Sequence, residues 1–468
     1  MRKRTKSIIL LIAVGQMLII LGLLALPSVV QAIPGRYRVW LQENYPAMGE
    51  ISEGVIAQVA PVATALPAAQ PGAHPEIDLS SLVAQQPAGA LEGAVNENDT
   101  IELPQTVTQP APTAESDVAP TAAAATPTPE ATHTPAPTPT PMPLPNRVVI
   151  EGMSVVKQSF NNCGPANLTQ VLNWYGSDIT QEDVASYLKP NPEDRNVSPW
   201  QISDYVNEQM GGYKAITRSG GDLEMIKRFL AAGFPVVIEK GYELPDSGWW
   251  GHYLTVYGYD DDLEELYSQD SYLGPFDGSG RKDAYREFLP YWQQFNNTFY
   301  IVYRPEQEET VASLMGADMF DDVKMWQKVA ANAEQETKDR PDDAFSWFNL
   351  GTALARIGGL TGDNSYYQGG AQAFDQAREI GLPPRMLWYQ FEPYLAYLRT
   401  DRYQDIIDLA DATLETQGGR NVEETYWYKG HALAYLGDVS GAISAYQSSL
   451  AINKNFYPAQ ISLDSLGG

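Results

Sequence analysis

Between residues 54 and 146 the chain has no Phe, Trp or Tyr, no Lys and no Arg, yet it holds 17 of the 34 prolines. Such a stretch cannot bury enough surface of its own to offset the entropy of ordering it. It therefore divides the chain, and whatever builds a core must lie outside it. Runs such as Pro127-Thr-Pro129 and Pro135-Ala-Pro-Thr-Pro139-Thr-Pro141 favour extended polyproline II. Residues 33–146 are accordingly expected to be a disordered Pro/Thr/Ala-rich linker that supplies reach.

Residues 1–32 read as a targeting segment. Arg2, Lys3, Arg4 and Lys6 precede an almost wholly apolar run from Ile8 to Leu26, and Val30-Gln31-Ala32 offers a small-residue cleavage site. The basic flank orients the N-terminus toward the cytoplasm. The run is long for a signal peptide and just long enough to span a bilayer, so cleaved signal and uncleaved membrane anchor both stay open. Either places the rest of the chain outside the cytoplasm, secreted or membrane-anchored.

Order is expected from Arg147. Leu168, Val171, Leu172 and Tyr175 follow helical spacing, stopped by Gly176. Thr180 with Asp183, Ser198-Pro199 with Gln201, and Asp222 mark three further helix starts. The period then changes, and residues 235–238, 253–258, 266–270 and 298–303 read as short strands. Helices first and strands later imply an α+β domain over residues 147–305.

Beyond residue 306 the strand signals vanish. Trp347-Phe-Asn-Leu350-Gly351 with Phe374-Asp-Gln-Ala377, and Tyr426-Trp-Tyr-Lys-Gly430 with Ala442-Ile-Ser-Ala-Tyr446, resemble tetratricopeptide repeats. A weaker copy spans about Leu387 to Leu414, and the first carries an insertion around Thr361 to Gln368. Gly351, Ala377, Gly430 and Ala442 are small enough for paired helices to approach while aromatics fill the grooves. Residues 306–468 are expected to be an all-α helical-hairpin domain, the alternative being an unrelated bundle.

The chemistry centres on the one cysteine. Cys163 stands where a helix begins, and a helix N-terminus favours a thiolate. A thiol nucleophile needs a base within hydrogen-bond reach. Of the four histidines, His74 and His133 fall in the linker and His431 in the repeats, which leaves His252. Asp270 ends the next strand and can hold the imidazole in one tautomer. Gln158 can aim its amide N–H₂ at a developing oxyanion, with the Cys163 backbone N–H as second donor. Trp249 and Trp250 precede His252, either as a rim over the cleft or as core. Asp260, Asp261, Asp262, Glu264 and Glu265 read as a solvated turn rather than a calcium site.

Gln158-x4-Cys163-Gly-Pro165-Ala166, Tyr175-Gly176, Gly251-His252-Tyr253, Gly258-Tyr-Asp-Asp261 and Gln269-Asp270-Ser-Tyr272 together resemble cysteine peptidase family thirty-nine. This is the bacteriocin-processing type, in its stand-alone branch. The resemblance covers residues 147–305. It implies a papain-like fold, with Cys163 as nucleophile, His252 as base, Asp270 orienting it and Gln158 in the oxyanion hole. In transporter-linked members the domain removes leader peptides, but this chain lacks the transporter and ATPase parts.

The expected function is an extracytoplasmic cysteine peptidase whose repeats bind a substrate or a protein partner, with no cofactor or metal. Two other readings stay open: a non-catalytic peptide-binding scaffold with a vestigial peptidase-like domain, and a Cys-His-Asp transglutaminase or amidase. A formal charge of −27 argues against nucleic acid as a partner.

Overall fold

The computed structural model describes residues 65–71, 76–87, 143–244, 248–416 and 418–467, with five isolated positions before residue 90. Most of residues 1–32, expected to be a targeting segment, and most of the expected linker lie outside the described residues. Among those described, no helix is long and apolar enough to cross a membrane.

The linker expectation needs correction. Residues 79–84 form a short helix, α1 (Leu79–Ala84), capped by the Asp78 side chain. Leu82 is buried against Leu350, Leu354 and Tyr366 of the helical domain. Upstream, Leu66 N–H donates to Leu382 O at 2.9 Å, and Arg378 donates to the carbonyls of Pro67 and Ala68, both at 2.8 Å. A segment without aromatics cannot build its own core. It can still place a few leucines in the core of another domain, and residues 65–87 do that.

The first globular part has the expected helix starts. α2 (Cys163–Trp174) is followed by α3 (Gln181–Leu188), closed at its start by the Thr180/Asp183 capping box. α4 (Pro199–Gln209) has Pro at its first turn with Ser198 and Gln201 in a capping box. α5 (Leu223–Ala231) is capped by Asp222. The strands are β1 (Arg147–Val149), β2 (Lys214–Arg218), β3 (Val236–Leu244), β4 (Gly248–Asp260), β5 (Glu265–Gln269), β6 (Arg281–Ala284) and β7 (Phe299–Tyr303). They form one antiparallel sheet in the order β2-β7-β3-β4-β5-β6, with β1 against the end of β4.

Helices cover both faces of the sheet. Val237, Tyr253, Tyr300 and Val302 face α2, α3 and α4. Val236, Ile238, Leu254, Phe299 and Ile301 face α5, α6 (Tyr285–Gln293) and α7 (Glu308–Met315). Two covered faces explain why the central strand Phe299-Tyr-Ile-Val-Tyr303 is apolar without alternation. This is the mixed α+β architecture expected for a papain-like domain.

The C-terminal part is helical: α8 (Asp322–Asp339), α9 (Ala344–Thr361), α10 (Asn364–Ile380), α11 (Glu392–Arg399), α12 (Tyr403–Glu415), α13 (Glu423–Tyr435), α14 (Val439–Ile452) and α15 (Tyr457–Ser465). The supposed insertion around 361–368 is not a loop. It lengthens α9 and α10 to 18 and 17 residues, joined at Gly362 with φ +71°. The short α11 and α12 occupy the span of the weak middle copy.

The helix pairs approach as the small residues require. A Cβ on Gly351 would lie 2.7 Å from the Phe374 ring, and one on Gly430 would overlap Tyr446. Gly359 differs: it is exposed, and a Cβ there would meet only the Tyr367 hydroxyl at 3.5 Å. Gly351→Val is therefore expected to destabilise the chain by about 1–3 kcal/mol through overpacking. Gly359→Ala is expected to be neutral or to stabilise by up to about 1 kcal/mol through helix propensity. Denaturant midpoints of the two variants check the contrast.

Candidate active site

Cys163 is the first residue of α2, and no side chain caps that helix. Its N-terminal amides thus remain free to favour negative charge. The turn before it puts Asn161 at φ +55°. Two cations hold that turn: Lys189 Nζ donates to Asn161 O at 2.8 Å, and Arg195 donates to Asn161 Oδ1 at 3.3 Å. Lys189 also donates to Asp194 O at 2.8 Å. Cys163 is half-buried as a residue.

His252 lies inside β4, opposite Lys240 of β3. Its Nε2 is 2.9 Å from Asp270 Oδ1. His252 and Cys163 lie close enough for each to shift the other's pKa. With Nε2 engaged, Nδ1 is the nitrogen left to meet the thiol. Tyr242 and Tyr272 present ring edges to the imidazole at 5.3 and 6.2 Å between centroids and limit its rotation.

Asp270, just past β5, is fully buried. Besides His252, it accepts from the backbone N–H of Tyr272 (2.8 Å) and of Leu273 (2.9 Å), and from the Tyr242 hydroxyl (2.8 Å). Burial alone would raise its pKa, but the His252 charge and these donors hold it well below the usual carboxylate range. For His252, burial disfavours the imidazolium, yet Asp270 and Cys163 outweigh it and push its pKa up to about 9. Burial likewise works against the thiolate. The His252 hydrogen bond and charge, the Tyr253 backbone N–H and Lys189 overcome it and bring Cys163 below its ordinary value. The two shifts, one downward and one upward, therefore favour a thiolate–imidazolium pair.

Gln158 reaches the same place through a chain of amides. Asn167 Oδ1 accepts from Gln170 (2.7 Å) and Thr255 (2.8 Å), which fixes its N–H₂ toward Cys163 O (2.9 Å), Tyr253 O (2.8 Å) and Ser271 Oγ (3.2 Å). Ser271 then donates its one proton to Gln158 Oε1 at 2.8 Å, while Gln158 N–H donates to Ser271 O at 2.9 Å. With its carbonyl engaged, the half of the Gln158 amide left free is the donor half.

All four residues singled out from the sequence thus converge at one place. The sequence reading missed Tyr242, Asn167, Gln170, Ser271 and Lys189. Asn167 had a signal, since position i+4 from Cys163 puts both on one helix face. Tyr242 had none, because only the β3–β4 register brings it to Asp270. Trp249 is buried core, stacked on Phe295 with ring centroids 5.6 Å apart, while Trp250 packs edge-on to Trp388 at 5.7 Å. The acidic turn is taken up internally: Asp260 pairs with Arg147 at 3.3 Å and Asp261 with Lys227.

Residues 150–300 match the Peptidase C39 like family. No curated protein matches the chain. Among solved structures, it is similar to a crystal structure from Bacillus anthracis described as that of a C39-like peptidase. The two are 17% identical, the match covers 34% of this chain and 98% of that one, and the TM-score is 0.28. Residues 150–300 are thus similar to the Peptidase C39 like family, and their mixed α+β, peptidase-like domain is followed by a helical region.

Proposed function

We propose that the chain is a cysteine peptidase acting outside the cytoplasm, held or exported there by residues 1–32, with tetratricopeptide-like hairpins as its second domain. The observation that carries the reading is the hydrogen bond from His252 to the buried Asp270 beside the Cys163 helix start, with the Gln158 carbonyl pinned by Ser271. A vestigial scaffold has no need for a buried Asp270 with four donors around it.

The reaction follows from the geometry. The Cys163 thiolate attacks the scissile carbonyl, forming a C–S bond, and the oxygen takes up the electron pair. That oxyanion is met by the Gln158 N–H₂ and the Cys163 backbone N–H. As the C–N bond breaks, the His252 imidazolium gives its proton to the departing amine. His252, now neutral, accepts a proton from water as the water attacks the thioester; the C–S bond breaks, the carboxylic acid leaves, and the thiolate–imidazolium pair is restored. Asp270 stays ionised and keeps the imidazole in place.

The pH dependence has a fixed sign. Because the Cys163 pKa is lowered, thiolate persists below the range of an ordinary thiol; because the His252 pKa is raised to about 9, the imidazolium persists beside it. Iodoacetamide should label Cys163 in the full chain below pH 7, the rate falling only as pH drops through the lowered thiol pKa. His252→Ala removes the partner and leaves burial, so labelling should shift alkaline, to or above an ordinary thiol near ~8.5. An ordinary thiol profile in the unaltered chain would remove this reading.

Oxyanion stabilisation gives a second check, read from steady-state cleavage of a peptide library. Gln158→Ala is expected to lower kcat by about 10²–10³-fold. Ser271→Ala leaves the amide in place but unpinned, with an expected loss of about five- to tenfold, one hydrogen bond's worth.

A further inference from the structure

A cavity of about 490 Å³ lies between the two domains. One wall comes from α4, β2 and β3 of the peptidase-like domain, the other from α8, α9 and α11. Asp322, Gly359 and Arg399 are exposed at its rim, so it opens to solvent. Its inner end includes Glu239 and Tyr389. Both stand within the electrostatic reach of Cys163. Glu239 is paired across the strands with Tyr253, whose backbone N–H faces the sulfur.

Three arginines, Arg218, Arg356 and Arg399, face four acids in this cavity, Asp204, Glu239, Asp322 and Glu392. Arg218 pairs with Asp322 at 3.5 Å, and Arg356 pairs with Glu392 Oε1 at 3.0 Å. Two carboxylate oxygens remain buried without any partner, Glu239 Oε1 and Glu392 Oε2, on residues 3% and 5% exposed. The nearby Tyr253 hydroxyl donates instead to Val197 O at 2.9 Å. A buried acid left unpaired is costly, and such groups are retained where a ligand completes them. Trp200, Trp326 and Phe391 line the same cavity. Trp326 already carries the Arg356 guanidinium 5.6 Å from its ring. Acids that share a cavity with aromatic rings suit a long cationic side chain, with the stem on the rings and the head on the carboxylates.

We propose that the cavity is a subsite for a lysine or arginine side chain of the peptide substrate, with Glu239 and the free oxygen of Glu392 as its partners. The inference rests on the peptidase reading and names its substrate class. Burial and the neighbouring Cys163 hold the Glu239 carboxyl well above the usual range while it lacks a cation, so an arriving ammonium or guanidinium gains a partner that water does not satisfy. The chain's net charge of −27 would also raise the local concentration of basic peptides.

Binding can be tested apart from cleavage. The full chain carrying Cys163→Ala is titrated by calorimetry with acetylated hexapeptides of Ala and Gly. Each contains one Lys, Arg, norleucine, Gln or acetyl-lysine, moved along the positions. At one position Lys or Arg is expected to bind about tenfold or more tighter than the neutral residues. Acetyl-lysine must fall with the neutral set, a comparison that needs no further variant. Adding Glu239→Gln should remove most of the preference, and Glu392→Gln part of it. No basic preference, or one that survives both substitutions, overturns the subsite. Parallel assays with Cys163 intact separate the two claims. Cleavage without basic preference removes the subsite alone. Glu239-dependent binding without cleavage of any peptide keeps the subsite and removes the peptidase reading.

Discussion

A fully buried carboxylate organises this molecule. Moving Asp270 out of water is expensive unless its lone pairs are met. Four donors meet them: the His252 ring, the Tyr242 hydroxyl and two consecutive backbone amides. Those donors come from β4, β3 and the turn after β5, so the charge is satisfied only when three strands lie in the observed register. Because side chains alternate along a strand, slipping β3 by one residue would turn Tyr242 to the other face and leave Asp270 short. The same register sets Lys240 opposite His252 and Thr255 opposite Gln269. The sheet and the site are thus specified together.

How much was legible in the sequence follows from the range of each interaction. Helix starts were legible because capping is local: Thr180 with Asp183, and Ser198 with Pro199 and Gln201, carry their partners within three residues. The Cys163–His252 pairing was legible for a different reason, the scarcity of histidine. β4 extends further back than the strand pattern from Gly251, because Gly248 to Trp250 carry no alternation of their own and are covered by the helical domain. β2 and β6 were missed because polar residues such as Lys214, Arg218, Arg281 and Lys282 hide the alternation. α6 was missed because Pro290 lies inside it. The docking of residues 65–87 was out of reach, for its leucines find their core hundreds of residues away.

The two globular parts are tied at the site itself. Gly251, the residue before His252, touches both: a Cβ there would lie 2.7 Å from Phe295 and 2.9 Å from Tyr389 of the helical side. Trp249 is clamped among Phe295, Phe345 and Tyr389. On the other flank of Cys163, Arg195 N–H donates to Asn421 O at 3.3 Å, and Asn455 donates to Tyr187 O at 3.1 Å. The helical domain therefore contributes to the walls of the cleft.

The consequence reaches the nucleophile through Lys189. Its ammonium fixes the Asn161 carbonyl before Cys163 and lowers the cost of the thiolate. That ammonium is buried and depends in turn on the field of Asp194 and of Glu423, the first residue of α13. Glu423 is itself buried and held by Asn453 at 2.9 Å. Burial alone would strip the charge from Lys189, and a neutral amine does nothing for a thiolate. Asp194 and Glu423, from the two sides of the interface, oppose that loss, while burial holds both carboxyls above their usual range. The helical domain thus bears on how readily Cys163 ionises as well as on what reaches it.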